Sequence, residues 1–136
     1  IEAERDLVNG TMASFQERDL PTAMRTKPRS AALSYLCEIL KARHIGRLSR
    51  GECSLAQGTV YTELLNSFER IGSHCVAVSG AVRREYQGHP DFHVHSLKAY
   101  ELSEQEYQQI YDEFLAKYDV LNSEDRPLSM EDEGVQ

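Results

Sequence analysis

The chain has 136 residues and a formal charge of −7 at pH 7, from 22 acidic and 15 basic side chains. This length is typical of one domain and allows a hydrophobic core without disulfide or metal cross-links. The net charge argues against binding of nucleic acid by a generally basic surface. The longest uncharged, mostly apolar stretch, residues 75–82, is far shorter than the about 20 residues of a membrane-spanning helix, so we expect no segment of this chain to cross a bilayer.

The first residues carry charges and no apolar core, so they do not resemble a signal peptide. The chain starts at Ile1 and not at methionine, which suggests a piece of a longer protein. Cys37, Cys53 and Cys75 cannot all pair with one another, and none lies in a C-x-x-C spacing that would indicate a zinc ribbon or a redox dithiol. We expect free thiols in a reducing, cytoplasmic compartment, two of them on apolar helix faces.

The charge is distributed unevenly along the chain. Residues 18–50 contain eight basic and two acidic side chains, a balance of +6, whereas residues 99–136 have a balance of −9. The end of the chain is acidic and has few large apolar side chains. We therefore predict one folded domain over residues 1–121 and an acidic, disordered tail over residues 122–136.

Apolar residues recur at helical spacing in the first half of the chain. The opening residues, including Leu7, predict the end of a helix, although Gly10 weakens that prediction. A second helix starts near Pro28, which begins or kinks it, and ends at Gly51. Its apolar face is formed by Leu33, Leu36, Cys37, Leu40, His44 and Leu48.

The strongest helical pattern covers about residues 55–86. It begins at Ser54 and Gln57, which have the spacing of a capping box, and it ends near Gly88, two residues before a proline. The apolar residues of this segment alternate at intervals of three and four, which is typical of a helix packed in a bundle. They are Tyr61, Leu64, Phe68, Ile71, Cys75, Val78 and Val82.

A last helix begins at Ser103, with Glu106 as its capping partner. One side of it is rich in aromatic residues, and the loop before it, residues 88–102, holds three histidines. No alternation of apolar and polar residues persists long enough for a strand. The sequence therefore predicts an all-α fold, an antiparallel bundle of three or four helices.

Several histidines and carboxylates raise the question of a metal site. A ferritin-like di-iron site is excluded because the chain has no Glu-x-x-His pair. Asp91, His93 and His95 alternate in an extended loop, so the two imidazoles could share an ion, but a polar surface loop is the simpler interpretation because a closed site needs more ligands. His44 lies on the apolar face of its helix and is expected to be a core histidine that holds a hydrogen bond.

No motif indicates catalysis. The chain has no G-x-S-x-G elbow, no glycine-rich phosphate loop and no cysteine in a plainly electropositive setting, so we expect that it is not an enzyme. The basic run over residues 18–50 has several interpretations that stay open. It forms a solvated helix face, or it meets an anionic membrane surface or the acidic C-terminal segment.

Three segments carry a family pattern. Residues 43–48 read RHIGRL, residues 51–53 read GEC and residues 63–75 read ELLNSFERIGSHC. Together with the aromatic last helix, they resemble the PhoU-like domain, most closely the version at the C-terminal, cytosolic end of bacterial sodium/phosphate cotransporters. The resemblance covers about residues 20–120. It implies a helical bundle that regulates phosphate uptake from the cytoplasmic face and is not a catalyst.

Some PhoU proteins bind metal clusters through a Glu/Asp-x-x-x-Asp motif on each of two helices, where residues four apart share one face. Here Glu69 matches one position, but the other three are Ser73, Ser30 and Ser34. The resemblance therefore implies a cluster that is lost or much weakened. Glu69 is then expected to pair with basic neighbours or with the basic second helix, and His74 keeps a ligand role only if another helix supplies further ligands.

Our first hypothesis is a cytosolic regulatory domain of a sodium-dependent phosphate transporter, at the cytoplasmic face of the cell membrane. The resemblance implies that the transmembrane part precedes Ile1. We expect the domain to dock on that part, on a second copy in a homodimer, or on a signalling protein, and not on nucleic acid. The docking face is predicted to contain Arg43, Arg47 and Arg50. A protein partner is favoured over a lipid surface for this face.

Two alternatives remain at the level of the sequence. One is a metal-binding sensor or enzyme on a helical bundle that uses Glu69, His74 and the loop with Asp91, His93 and His95. In that case the cofactor is a divalent or iron-type metal, whereas the first hypothesis requires no cofactor. The other alternative is a plain scaffolding bundle with no connection to phosphate.

Overall fold

The computed structural model describes residues 1–88 and 101–118, and within them the fold is all-α, as predicted. The helices are α1 (Glu2–Gln16), α2 (Leu20–Met24), α3 (Thr26–Ser49), α4 (Leu55–Gln87) and α5 (Glu104–Tyr118). Four of these helices are long, which agrees with a bundle of four helices. The predicted acidic tail, residues 122–136, and the loop residues Asp91, His93 and His95 lie outside the described residues.

The first helix is longer than the sequence predicted, and α2 was not predicted at all. Gly10 lies inside α1, because burial of residues on both sides of it outweighs its low helix propensity. Between α1 and α2 the backbone turns at Arg18, which has a positive φ of 53°. Asp19 then caps α2, and its Oδ1 accepts a hydrogen bond from the Thr22 N–H at 3.2 Å.

Successive long helices run in opposite directions. Leu7 of α1 lies beside Gly72 of α4, and farther along both helices the Tyr86 hydroxyl donates to the Arg18 carbonyl, so α1 is parallel to α4. At the other end, Lys117 and Tyr118 of α5 both donate hydrogen bonds to the carboxylate of Asp6. The helices α1 and α5 therefore flank the central antiparallel pair that α3 and α4 form.

Two buried glycines of α4, Gly58 and Gly72, lie at the contact between α3 and α4. A Cβ at Gly72 would lie 2.8 Å from Ser30 Oγ, and a Cβ at Gly58 would lie 2.7 Å from His44 Nε2. These glycines let the helices approach closely, so the buried face of α4 is centred on small residues and is rotated from the predicted apolar seam, in which Leu64 was wrongly included. The buried residues of α4 are Gly58, Leu65, Gly72, Cys75, Ser79 and Val82.

The two central helices extend beyond their neighbours. With 33 residues, α4 is about 50 Å long, whereas α1 and α5 have 15 residues each and span about 22 Å. Ile1 and Tyr118 both lie beside Leu40 and Leu65. We call residues 1–40, 65–88 and 101–118 the four-helix body, and residues 41–64 the distal hairpin, where α3 and α4 are the only described helices.

Candidate functional site: the distal hairpin

The turn of the distal hairpin is fixed by signals at both helix ends. Gly51 has a φ of +72°, and the N–H groups of Gly51 and Glu52 donate to the carbonyls of Leu48 and Arg47 at 3.1 and 3.0 Å. This is the Schellman arrangement, which favours glycine because other residues are strained at positive φ.

At the start of α4, the predicted capping box is confirmed. Ser54 Oγ accepts from the Gln57 N–H at 3.2 Å, and Gln57 Oε1 accepts from the Ser54 N–H at 3.0 Å. A glycine stop and a capping box thus hold a turn of five residues, 50–54, between two long helices. The turn places the end of α3 against the start of α4, where the side chains described next converge.

His44 is buried at the centre of the hairpin, as its sequence position predicted. Its Nδ1 lies 3.4 Å from an Arg47 guanidinium nitrogen and 4.0 Å from Cys53 Sγ. Its ring contacts the ring of Tyr61 in a tilted arrangement, with 4.9 Å between the centroids and 39° between the ring planes. The Nε2 atom faces Gly58 and has no hydrogen-bond partner among the described residues. The hairpin is therefore packed around one imidazole, and the partners of His44 were not identified from the sequence.

The three arginines predicted to bind a partner all lie in the distal hairpin, and all have contacts within the protein. Arg47 lies 5.7 Å over the ring of Tyr61, close enough for a cation–π contact. Arg50 Nε donates to Glu52 at 2.5 Å, and this guanidinium holds the pKa of the Glu52 carboxyl below its ordinary value. Arg43 is partly exposed and also takes part in an interaction. The arginines thus contribute to the hairpin itself as well as to its positive charge.

Large apolar side chains on the distal hairpin face solvent. Ile45 is 65% exposed and Leu55 is 76% exposed. Together with Leu48, they line a shallow groove of about 300 Å³ between α3 and α4, whose floor includes Gly58 and His44. An apolar groove at the open end of two helices can receive an apolar side chain or a helix from a partner.

The residues predicted to bind metal do not converge in the described part of the chain. Glu69 forms an ion pair with Lys41 of α3, with 2.6 Å between Nζ and Oε2, and His74 is exposed on α4. Ser73 donates its hydroxyl to the backbone carbonyl of Glu69 at 3.1 Å. Within residues 1–88 and 101–118, no three His, Cys, Asp or Glu side chains lie close enough to share an ion. His93 and His95 lie outside these residues.

The residues at the contact between α3 and α4 show a regular spacing in the sequence. Ser30, Cys37 and His44 on α3 are seven residues apart, and so are Gly58, Leu65 and Gly72 on α4. The bulky His44 meets Gly58 at one end of this series, and Ser30 meets Gly72 nearer the other. A search at heptad spacing that admitted glycine and serine beside apolar residues would have included Ser30, Gly58 and Gly72.

Comparison with protein-family models, with curated proteins and with solved structures found no match to this chain. The likeness to the PhoU-like domain therefore depends on the sequence segments alone. Among the helices of residues 1–88 and 101–118, none combines the length and the apolar character needed to cross a bilayer.

Proposed function

We propose that this chain is a PhoU-like regulatory domain of a sodium-dependent phosphate transporter, at the cytoplasmic face of the membrane, and that it docks on the transmembrane part through the distal hairpin. The observation that carries the proposal is the exposed apolar groove with Ile45 and Leu55 at the hairpin's open end. Exposed apolar side chains grouped around a groove are a feature of interaction surfaces.

Two of the segments that support the resemblance lie next to the exposed apolar groove. The RHIGRL and GEC segments, which support the likeness to the PhoU-like domain, form the end of α3 and the turn of the hairpin. Residues from both segments, His44 and Cys53, are in contact around the floor of the groove. Two of the three segments that carry the family pattern thus lie in the part of the chain with the exposed groove, and the third, residues 63–75, continues along α4 into the four-helix body.

The charge of the distal hairpin suits a partner at the cytoplasmic face of a membrane. The hairpin has four basic side chains, Lys41, Arg43, Arg47 and Arg50, against two acidic ones. Anionic lipids on that face attract lysine and arginine near the surface. In this arrangement, the apolar groove takes a segment of the transmembrane part, and the arginines around it face a surrounding surface of negative potential.

The experiment places an aspartate in the groove, both in this domain expressed as a separate polypeptide and in the full-length protein. We expect Ile45→Asp and Leu55→Asp to abolish co-purification of this domain, expressed as a separate polypeptide, with the transmembrane part, since a buried unpaired carboxylate opposes association. Sodium-dependent uptake of radiolabelled phosphate by cells should change in the same variants. Both residues are exposed, so the variants should fold, as circular dichroism can verify.

The matched controls are Met12→Asp and Phe15→Asp, which place the same charge at exposed apolar positions of the four-helix body. They should leave co-purification and uptake unchanged. Equal effects of both pairs would contradict docking through the hairpin. A groove variant that converts a dimer of this domain to a monomer, with uptake unchanged, would instead assign the groove to a second copy and overturn the proposal.

A further inference from the structure

A second cavity, of about 320 Å³, lies in the four-helix body at the end far from the distal hairpin. It is bounded by α2, the start of α3, the last turns of α4 and the residues that lead into α5. Its apolar wall consists of Ala23, Met24, Val76 and Leu102. This volume is at the lower end of the range for small-molecule sites, so its ligand would be small.

Two buried polar groups of α4 line this cavity without a hydrogen-bond partner. Ser79 is 7% exposed, and its Oγ has no hydrogen-bond partner among residues 1–88 and 101–118. Arg83 follows four residues later on the same helix face, and its buried Nε–H has no acceptor either. Buried polar groups are nearly always hydrogen-bonded, so two such groups on the wall of one cavity indicate a missing acceptor.

The charges around the cavity favour an anion. Arg83 forms an ion pair at the wall of the cavity, where its Nη2 donates to Glu101 at 2.7 Å. Lys27, in the first turn of α3, also lines the cavity and forms no ion pair within residues 1–88 and 101–118. The ammonium group of Lys27, the hydroxyl of Ser79 and the Nε–H of Arg83 therefore belong to residues that line the same space, and the one carboxylate among the described lining residues, that of Glu101, is already paired. All three free groups can donate to an oxyanion.

We propose that this cavity binds a small organic anion, with its phosphate or carboxylate group held by Lys27, Ser79 and the Nε–H of Arg83, and with an apolar body against Met24, Val76 and Leu102. The proposal does not depend on docking through the distal hairpin, because the two sites share no residue. An anion at this position contacts α3, α4 and the start of α5 together, so its binding would stabilise the folded body.

The test titrates the protein with phenyl phosphate, benzoate and inorganic phosphate, and with neutral benzyl alcohol, by calorimetry and by amide chemical shifts. We expect saturable binding of an anion that has a ring, with the largest shifts at Ser79 and Gly80. Stronger binding of phenyl phosphate than of benzoate would identify a phosphate ester as the ligand, and the reverse would identify a carboxylate. Binding of benzyl alcohol as strong as that of both anions would overturn the proposal, and so would the lack of saturable binding at several millimolar.

Two substitutions test the assignment of the site. Ser79→Ala and Lys27→Gln should each weaken binding by about fivefold, because each removes one donor to the anion. Ser67→Ala and Arg70→Gln are the controls, since they remove a hydroxyl and a positive charge at exposed positions of α4 that do not line the cavity. Equal affinity in all four variants would place the ligand elsewhere and contradict the proposal.

The stability of the Ser79→Ala variant without ligand gives a second readout. A hydroxyl that is buried without a partner destabilises the folded state, so its removal should leave the melting temperature unchanged or raise it. A melting temperature several degrees lower would show that the hydroxyl serves the fold, and it would overturn the role of Ser79 as a ligand-binding group.

Discussion

The four-helix body and the distal hairpin are built from the same two helices but differ in what covers them. In the body, α1 and α5 bury Leu7, Leu33 and Phe114 in a continuous core. In the hairpin, Ile45 and Leu55 remain exposed, and the contact between the helices centres on His44. The difference teaches that helix length and tertiary burial are set separately: the caps at Gly51 and Ser54 define the helix ends, and the neighbours decide which residues are buried.

Leucine truncation in each region gives the largest expected contrast. Leu7 of α1 is 1% exposed, so Leu7→Ala should lower the free energy of unfolding by about 2–5 kcal/mol. Leu55→Ala in the hairpin, where the side chain is 76% exposed, should change it by no more than about 0.5 kcal/mol. Urea denaturation of both variants measures the contrast. A loss of similar size at Leu55 would mean that the groove is covered within this chain.

The thiols of the four-helix body and of the distal hairpin should differ in reactivity. In the body, burial raises the pKa of the Cys37 thiol to about 11, with a smaller contribution from the Glu69 carboxylate, and Cys75 is also buried. Cys53 in the hairpin is only half-buried. Because the thiolate is the reactive form, an aromatic disulfide reagent at neutral pH should label Cys53 about 100-fold faster than Cys37. In Cys53→Ser the fast phase should disappear, and a fast phase that persisted would contradict this packing.

The sequence predicted the helices better than the faces they bury. The capping box at Ser54 and the helix start at Ser103 agree with the structure, because caps depend on a few neighbouring residues. The buried face of α4 was misjudged because apolar periodicity does not detect Gly58 and Gly72, which are buried for their small size. The short helix α2 was not predicted because five residues are too few to show a helical periodicity. Asp19, followed by Leu20 and a proline, is nevertheless a signal for the start of a helix.

The candidate site was predictable only in part. The sequence placed Arg43 and Arg47 together and put His44 on a buried face, since these depend on helical spacing alone. The contact of His44 with Cys53 and Tyr61 depends on how the turn folds α4 back on α3, which no local pattern specifies. The exposure of the groove depends on where α1 and α5 lie, and helix order does not reveal that position.

Alanine substitutions at two glycines of the distal hairpin should change the stability of the fold in opposite directions. In Gly58→Ala the new Cβ lies 2.7 Å from His44 Nε2, and the buried ring must move, so we expect a net loss of about 1 kcal/mol despite the better helix propensity of alanine. In Gly46→Ala the nearest atom is the flexible tip of Arg50 at 3.4 Å, so a gain of about 0.5–1 kcal/mol is expected. Thermal unfolding measures both.

The double variant Gly58→Ala/His44→Ala identifies the cause of that loss. If the clash with the imidazole is responsible, Gly58→Ala should cost less in the His44→Ala background than in the native one. An unchanged cost would show that the hairpin does not depend on the close approach at Gly58, and the hairpin would then differ from the body only in its coverage.

The smallest expected effect on stability comes from the contact of Asp6 with the end of α5, which lies near the border between the body and the hairpin. Hydrogen bonds from Lys117, which contributes most, and from Tyr118 hold the pKa of the Asp6 carboxyl below its ordinary value of 3.8. A lowered folded-state pKa stabilises the protein above about pH 4, and this contribution is lost as the pH falls through the folded pKa. Because the Asp6 side chain is 46% exposed, solvent screening limits it to about 0.5 kcal/mol. Urea midpoints should therefore favour the native protein over Asp6→Asn at neutral pH and converge in acid. Asp112→Asn is the matched control, since it makes the same change at a carboxylate that accepts a hydrogen bond from Gln108 of its own helix.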